Sequence, residues 1–439
     1  MAQDQIRSVQ GTEDVLPGEW GRWRALYDTA RRLFGRYGYG EIRTPILEDT
    51  RLFAKGTGET TDIVQKQMYT IPAGDGESIA LRPEGTPAVV RSYLDHNLHK
   101  QEPFQKFFYA GPMFRRERPQ KGRLRQFHQL GVEAIGSDSP LLDAETITLA
   151  VDIFRELGLR DFRVYINSIG CAQCRPRLRG EIRARLEGRI DELCDDCRAR
   201  LERNVFRVLD CKNEQCIRVV AELPPMAESL GPECATHYSA VKAALQRSAV
   251  PFEEDPHLVR GLDYYTRTVY EIKHGGLGAR DTICGGGRYD GLVELLGGPP
   301  MPCVGFALGV EATILAMESE GVPASDTTSR PAVYVVSFAE EARANCLELV
   351  QELRRAGIAA DMDFQGRSPK AQMRAAGRVG APVCLLLGPD ELRRKEVTVK
   401  IMESGEQETV PRADAISKVL ASAMANKAEP AAGQAELVE

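Results

Sequence analysis

The stretch Phe107–Gly136 reads FFYAGPMFRRERPQKGRLRQFHQLGVEAIG. Two strand-like runs, Gln105–Phe114 and Gln126–Ile135, predict two β-strands joined by a hairpin loop. The loop is strongly basic, because Met113–Arg125 carries six basic side chains against one acid, Glu117. A net charge of +5 in an acidic chain is costly unless an anion binds there. The loop therefore predicts a phosphate-binding hairpin, and a solvated basic hairpin is the alternative.

The second predicted strand has two chemically different faces. Side chains alternate along a strand, so one face carries Phe127, Gln129, Gly131 and Glu133, and the other carries His128, Leu130, Val132 and Ala134. The second face suits a hydrophobic core, whereas a buried carboxylate on the first face needs partners. On the first strand, Arg115 and Glu117 likewise share a face. The hairpin thus predicts a polar pocket for a cationic or amide-like ligand beside the phosphate site.

Length and composition narrow the class of protein. A chain of 439 residues predicts two or three domains, and 43% hydrophobic with 27% charged residues is typical of globular proteins. No run of 18 apolar residues occurs, which argues against a membrane span. The N-terminus lacks the pattern of a secretory signal, so we expect a cytosolic protein. The net charge of -6 means that any nucleic-acid surface must be a local patch.

The pattern outside the hairpin predicts an α+β core followed by a small α/β domain. Helices are predicted at 20–37 and 143–157, and strands at 41–47, 78–82, 257–273 and 302–308. Past a linker-like stretch, strands at 332–338, 359–364 and 383–388 alternate with helices at 340–356 and 368–379. The predicted domains are a core at 1–170 and 257–322, a Cys/Arg-rich helical insertion at 171–256, a linker at 323–330, the α/β domain at 331–422 and a disordered tail at 423–439.

The segment FRRERPQKGRLRQFHQLG resembles motif 2 of class II aminoacyl-tRNA synthetases, in the form found in histidyl-tRNA synthetases. Other stretches resemble that family in order: GTEDVLPGE (Gly11–Glu19), RTPILED (Arg43–Asp49, motif 1), LRPEGT (Leu81–Thr86), RGLDYYTRTVYEI (Arg260–Ile272), GGGRYDGL (Gly285–Leu292) and VGFALGVE (Val304–Glu311, motif 3). The resemblance implies an antiparallel class II sheet flanked by helices, a helical insertion and a C-terminal anticodon-binding domain.

The resemblance also implies an activity. Such an enzyme activates histidine with ATP and Mg²⁺ to histidyl-adenylate, and then transfers the aminoacyl group to the 3′ end of tRNA(His). It implies a cytoplasmic homodimer, with Pro45 at the dimer interface, and no membrane association. A polar pocket rejects apolar amino acids strongly, so no editing domain is expected.

The resemblance assigns candidate residues to each substrate. Arg115 is expected to hold the α-phosphate and the histidine carboxylate, and Arg260 to act as a fixed cation near the α-phosphate. These two are the candidate catalytic residues. The candidate ATP-binding residues are Arg115, Glu117, Arg123 and Phe127. The candidate histidine-binding residues are Glu84, Gly85, Thr86, Arg115, Gln129, Glu133, Arg260, Tyr264 and Tyr265.

Some of these residues have simpler interpretations when each is taken alone. Tyr264 and Tyr265 could be ordinary strand aromatics, Gly285–Gly287 a turn, and Arg260 an exposed strand charge. Motif 3 also departs from the family pattern, because Ala312 stands where an arginine usually follows the acid. A missing cation should weaken ATP binding or slow adenylation, unless Arg123, Arg116 or another arginine compensates.

The cysteines suggest a metal site. Cys171-x2-Cys174 and Cys194-x2-Cys197 have the spacing of a four-thiolate zinc site, with Cys211, Cys216 and Cys234 nearby. The insertion contains few large apolar residues, so a structural zinc would help it to fold. Reduced structural cysteines are the alternative.

Two other functions remain open at this stage. One is the histidine-sensing, synthetase-like regulatory subunit of ATP phosphoribosyltransferase, although that protein lacks an anticodon domain. The other is a catalytically weakened RNA-binding protein, suggested only by Ala312. In the C-terminal domain the charges nearly balance, so anticodon bases would be read by stacking and edge hydrogen bonds.

Overall fold

A computed structural model describes residues 6–74, 76–118, 123–324 and 330–427, and the chain divides into two compact units, Met1–Asp326 and Thr327–Glu439. The α-helices are α1 Trp20–Arg36, α2 Thr50–Thr57, α3 Thr86–Asp95, α4 Leu98–Gln101, α5 Pro140–Glu156, α6 Arg175–Glu187, α7 Asp195–Arg203, α8 Phe206–Leu209, α9 Glu214–Ala221, α10 Pro232–Arg247, α11 Leu292–Leu295, α12 Val310–Ser319, α13 Arg343–Arg355, α14 Pro369–Val379, α15 Pro389–Arg394 and α16 Ala415–Lys427. The strands are β1 Gly40–Glu41, β2 Leu47–Asp49, β3 Tyr69–Gly74, β4 Glu77–Leu81, β5 Gln105–Phe114, β6 Gln126–Ile135, β7 Phe162–Ser168, β8 Glu253–Glu254, β9 Thr266–His274, β10 Thr282–Arg288, β11 Cys303–Gly309, β12 Val333–Ser337, β13 Ala360–Met362, β14 Val383–Leu387, β15 Glu396–Ile401 and β16 Gln407–Pro411.

The first unit is built on an eight-stranded sheet in the order β1-β5-β6-β11-β10-β9-β7-β8. Only the outer pairs β1–β5 and β7–β8 are parallel. The predicted hairpin is confirmed, since β5 and β6 pair antiparallel with Gln105 opposite Ile135 and Phe114 opposite Gln126. Leu130, Val132 and Ala134 are buried in a core with side chains of α1, α5, α10 and α12. The α+β class and the antiparallel sheet flanked by helices are therefore confirmed.

The segment predicted as one strand at 41–47 is instead divided between two sheets. Gly40–Glu41 pairs with β5 in the large sheet, and Leu47–Asp49 pairs with β4 in a three-stranded sheet of order β2-β4-β3. Pro45 lies between them, and proline has no N–H for a strand ladder. The buried Arg82 guanidinium donates to the carbonyl oxygen of Thr44 at 3.0 Å, which occupies an acceptor that a strand neighbour would use.

The helical insertion shares a hydrophobic core with neighbouring parts of the first unit, such as Tyr93 of α3 and Tyr289. Buried apolar side chains come from each of its short helices: Leu178, Ile182, Leu186, Leu201, Phe206, Val208, Val219 and Val220. The expectation of few large apolar residues was therefore wrong. These residues are easily overlooked in the sequence because they stand one or two at a time between arginines and other polar residues of the helices. The predicted segment 171–256 also includes α10 and β8. Helix α10 packs in the main core, and β8 pairs with β7 of the large sheet.

The second unit is a five-stranded sheet in the order β13-β12-β14-β15-β16. The three predicted strands are confirmed as β12, β13 and β14, which are parallel, with α13 and α14 between them in sequence. The antiparallel pair β15–β16 was not predicted. Helix α16 extends into the predicted tail as far as Lys427, and residues 428–439 lie outside the described part of the chain, as do 325–329 of the predicted linker. Across the described ranges, no helix is long and apolar enough to cross a membrane.

Candidate active site

Two cavities share a lining residue on the large sheet. The larger has a volume of about 800 Å³, which lies in the range of ligand pockets, and the smaller a volume of about 130 Å³. Arg115, just past β5, lines both of them. Gln129 and Glu133 of β6 face the smaller cavity because Leu130, Val132 and Ala134 point to the core on the other side of the sheet.

The smaller cavity contains two buried carboxylates with hydroxyl partners. Glu133 is 1% exposed and accepts hydrogen bonds from Thr86 Oγ1 at 2.6 Å and from the Tyr289 hydroxyl. Glu84 is 4% exposed and accepts from the Tyr264 hydroxyl at 2.7 Å and from Thr57. Burial raises the pKa of Glu133 to about 8 and also raises the pKa of Glu84. Hydroxyl donors only partly offset the desolvation, so a cationic ligand would stabilise both charged forms.

Arg260 reaches the smaller cavity from the loop before β9. Its guanidinium pairs with the Glu271 carboxylate and lies over Gly285 of β10. A Cβ at residue 285 would be 2.2 Å from Arg260 Nη2, so a side chain there would displace the guanidinium from this position. Burial alone would lower the pKa of Arg260, but the Glu271 carboxylate outweighs it and raises the pKa. The turn interpretation of the triple glycine and the exposed-charge interpretation of Arg260 are both wrong.

Some buried polar atoms around the smaller cavity have no hydrogen-bond partner within the described residues. They include Gln129 Oε1 and Arg260 Nε. Buried polar atoms in native proteins are nearly always hydrogen-bonded, so unpartnered ones beside a cavity indicate an absent polar ligand. The cavity is thus prepared for a small molecule that carries both donors and acceptors.

All but one of the predicted histidine-binding residues line the smaller cavity. They are Glu84, Thr86, Arg115, Gln129, Glu133, Arg260, Tyr264 and Tyr265. The exception is Gly85, which lies behind the wall, where a Cβ would be 2.3 Å from the Tyr109 ring. Tyr264 and Tyr265 are not on a strand, because β9 begins at Thr266. The strand predicted at 257–273 is therefore wrong in its first half.

The larger cavity is lined by all four predicted ATP-binding residues. Arg115 stacks over Phe127, with 5.1 Å between the guanidinium carbon and the ring centroid, and Arg115 Nε donates to the Pro83 carbonyl at 2.9 Å. Glu117 is buried and pairs with Arg123. The loop residues 119–122 between them lie outside the described residues. The remaining lining includes Lys212, Glu271, Lys273, Asp281, Glu311 and Ala312.

Sequence reasoning missed several lining residues. Tyr109 lies opposite Gly131 on the hairpin, and a Cβ at 131 would be 2.3 Å from its ring, so the glycine makes room for it. Tyr289 stands in the quoted GGGRYDGL stretch but received no role. Glu271 likewise stands in a quoted stretch as the partner of Arg260. Of these three residues, only Tyr109 could have been found from the sequence, because the predicted hairpin register places it opposite Gly131, which leaves room for its ring.

The four cysteines predicted as one metal site belong to two separate clusters. Cys194 and Cys197 group with Cys211 and Cys216, whereas Cys171 and Cys174 group with Cys234. The predicted ligand set is therefore corrected. The reason is that α6 separates the two Cys-x2-Cys pairs by thirteen helical residues, and each pair meets cysteines that come later in the chain.

Comparison with known proteins identifies the family. The histidyl-tRNA synthetase family model matches residues 11–313, and the anticodon binding domain model matches residues 332–422. The chain belongs to the histidyl-tRNA synthetase family. The resemblance inferred from the motifs is thereby confirmed.

Relatives of the histidyl-tRNA synthetase family span nearly the whole chain. The histidine–tRNA ligase of Halothermothrix orenii is 48% identical over 416 residues, which cover 94% of this chain and 99% of the relative. That of Moorella thermoacetica is 48% identical over 404 residues, covering 92% and 95%. The crystal structure of apo S. aureus histidyl-tRNA synthetase is 38% identical, with a TM-score of 0.78, and covers 94% of this chain and 100% of its own.

Proposed function

We propose that the chain is a histidine–tRNA ligase. The histidine carboxylate attacks the α-phosphorus of ATP, which forms histidyl-adenylate and releases pyrophosphate. A terminal ribose hydroxyl of tRNA(His) then attacks the activated carbonyl, which forms the ester and releases AMP. The observation that carries the proposal is the position of Arg115, because it lines both the small polar cavity and the large cavity with the basic hairpin.

Arg115 suits the point at which the two substrates meet. Its Nε is held by the Pro83 carbonyl and its plane by Phe127, so the remaining N–H groups face the cavities in a fixed orientation. A planar guanidinium binds a carboxylate or a phosphate through paired hydrogen bonds. Holding both reacting groups on one guanidinium converts the attack into a near-intramolecular step.

Histidine fits the smaller cavity by charge and by hydrogen bonding. Its ammonium and imidazole N–H groups donate hydrogen bonds. Glu84, Glu133 and Gln129 Oε1, which has no partner among the described residues, accept them. An apolar amino acid would leave these buried groups unpaired, which is the strongest form of discrimination available to a pocket. Arg260, held by Glu271, supplies positive charge on the same wall.

ATP is proposed to occupy the larger cavity. Phe127 offers a flat face for adenine, and Arg123 and the hairpin loop offer charge to the phosphates. Class II synthetases use Mg²⁺ with ATP in general, and the Asp281 carboxylate on this wall is the kind of oxygen ligand that Mg²⁺ prefers. When bound, the ion neutralises phosphate charge.

Ala312, which stands where motif 3 of the family usually has an arginine, lies on the wall of the larger cavity. Ala312 is in the first turn of α12, and Lys212 and Lys273 line the same space. Lys273 is held 3.6 Å from Glu271 and 4.9 Å from the ring centre of Tyr165. We propose that these two lysines supply the distal phosphate charge that the arginine provides elsewhere in the family.

The second unit is proposed to bind the anticodon. A hollow of about 410 Å³ is lined by Phe364, Arg367 and Arg378, among others. Phe364 is 64% exposed, so the face of its ring is available to a ligand. Aromatic and guanidinium planes are the surfaces on which single-stranded RNA bases stack. We propose the predicted division into a core, an insertion that begins at residue 171 and ends before α10, and an anticodon domain at 331–422.

Assembly and location follow the same proposal. Ile46 and Leu47 beside Pro45 are 41% and 51% exposed, an apolar edge that suits a homodimer contact. We propose a cytoplasmic homodimer, in line with a role in translation.

Histidine-dependent exchange of pyrophosphate into ATP tests the proposal. Exchange with histidine, and with no other amino acid, is the expected result. Histidine binding without exchange would favour the regulatory-subunit alternative, and the absence of both would favour the RNA-binding alternative. The structure of an ATP phosphoribosyltransferase regulatory subunit/histidyl-tRNA synthetase from Bacillus halodurans is 22% identical with a TM-score of 0.58, a likeness of fold alone.

A further inference from the structure

A compact group of four thiols lies in the insertion, away from the adenylation motifs in sequence. The Sγ atoms of Cys194, Cys197, Cys211 and Cys216 all lie within 4.8 Å of one another, and those of Cys194 and Cys211 are 3.8 Å apart. All four cysteines are free thiols. A tetrahedral zinc ion with Zn–S bonds of about 2.3 Å holds its sulfurs roughly 3.8 Å apart. The spacing is thus that of ligands around a single ion.

The local backbone supports the same arrangement. Cys194 is the N-cap residue of α7, and Cys216 lies in the first turn of α9, so two helix N-termini point towards the thiols. Backbone N–H groups donate to the sulfurs, from Cys194 to Cys216 Sγ at 3.2 Å and from Asn213 to Cys211 Sγ at 3.4 Å. Backbone donors of this kind stabilise thiolates and orient them on a metal.

We propose that Cys194, Cys197, Cys211 and Cys216 form a structural zinc site. Four thiolates at one point, in two pairs spaced Cys-x2-Cys and Cys-x4-Cys, are typical of closed zinc sites. An iron–sulfur cluster is disfavoured, because several ions and sulfides would have to fit between the sulfurs. The cluster of Cys171, Cys174 and Cys234 has three thiols, one fewer than a closed four-thiolate site needs.

The zinc site joins the two ends of a segment that contacts Asp263, the residue before Tyr264 in the lining of the histidine cavity. Between Cys197 and Cys211, Asn204 donates to Asp263 Oδ1 at 2.9 Å. Asp263 also accepts from Thr60 at 2.8 Å, and it precedes Tyr264, whose hydroxyl holds Glu84. Lys212, which lines the larger cavity, follows Cys211 directly. The metal therefore fixes a segment that positions the wall of the proposed histidine pocket.

Metal analysis of the full-length chain, purified without chelators, tests the site. We expect about one zinc per chain, and its loss in Cys211→Ser. Cys234→Ser is the matched control, because Cys234 is a buried thiol of the neighbouring cluster, and this variant should keep its zinc. No metal, iron with sulfide, or loss of zinc from the Cys234→Ser variant would overturn the site. These readouts do not depend on ligase activity.

Wild-type protein provides a second test if Cys211→Ser does not fold. Removal of zinc by a chelator should expose four additional thiols to a thiol reagent, and cobalt should then restore a thiolate-to-metal absorption band. Unchanged thiol reactivity would contradict the proposal. The KM for histidine should rise several-fold in the zinc-free protein, and Asn204→Ala should reproduce part of that rise. An unchanged KM would refute the positioning role and leave the metal site standing.

Discussion

Replacement of Arg260 by alanine should slow adenylation selectively. Arg260 lies half-buried over Gly285 and pairs with Glu271, and its buried Nε has no partner among the described residues. A preorganised charge of this kind contributes about 3–4 kcal/mol to the transition state. At about 1.4 kcal/mol per tenfold change, the rate of adenylate formation should fall roughly 10²- to 10³-fold. The KM for histidine should change much less.

The assay is single-turnover formation of histidyl-adenylate, with pyrophosphate exchange as a steady-state check. Arg412→Ala is a suitable control, because Arg412 also pairs with a glutamate, at 2.8 Å from Glu352, but it belongs to the second unit and lines neither cavity. The adenylation rate of Arg260→Lys should lie between the rates of the two alanine variants, since lysine keeps the positive charge but lacks the planar guanidinium. A near-normal rate in Arg260→Ala, or a loss confined to the KM for histidine, would refute the assignment.

Three further predictions address the pocket, the phosphate site and assembly. Because the pKa of Glu133 is raised to about 8, its carboxyl is protonated at pH 7, and binding of the histidine cation should release a proton. Calorimetry in buffers of different ionisation enthalpy should detect this proton release, and the affinity for histidine should rise with pH up to about pH 8. Glu133→Gln should abolish the proton release. The same variant should raise the KM for histidine and leave the KM for ATP almost unchanged. Lys273→Ala should raise the KM for ATP about tenfold, which corresponds to the loss of one charge-assisted hydrogen bond. Ala312→Arg, introduced into the Lys273→Ala variant, should reverse this rise. An unchanged KM for ATP in Lys273→Ala would show that Lys273 does not replace the motif 3 arginine. Light scattering should give a dimer mass for the wild type and a smaller one for Leu47→Asp, and a wild-type monomer at micromolar concentration would contradict the interface.

Much of the site was predictable from short-range patterns. The alternation along Gln126–Ile135 separates a core face from a cavity face, and both faces lie as predicted because the period of a strand is a local property of the backbone. The parallel strands of the second unit were readable for a similar reason, since buried strands form short apolar runs. Motif order was sufficient for the family, and eight of the nine predicted histidine-binding residues line one cavity.

What the sequence by itself determined, then, is the composition of each strand and loop, and with it the family and most of the pocket residues. Only the tertiary structure decided which distant groups meet. The sheet order places β11 between β6 and β10, which brings Tyr289 onto Glu133 across 156 positions of sequence. Glu271 pairs with Arg260 at the wall of the smaller cavity. The two Cys-x2-Cys pairs belong to separate clusters because α6 lies between them. Such partners depend on long-range packing, and no local period encodes it.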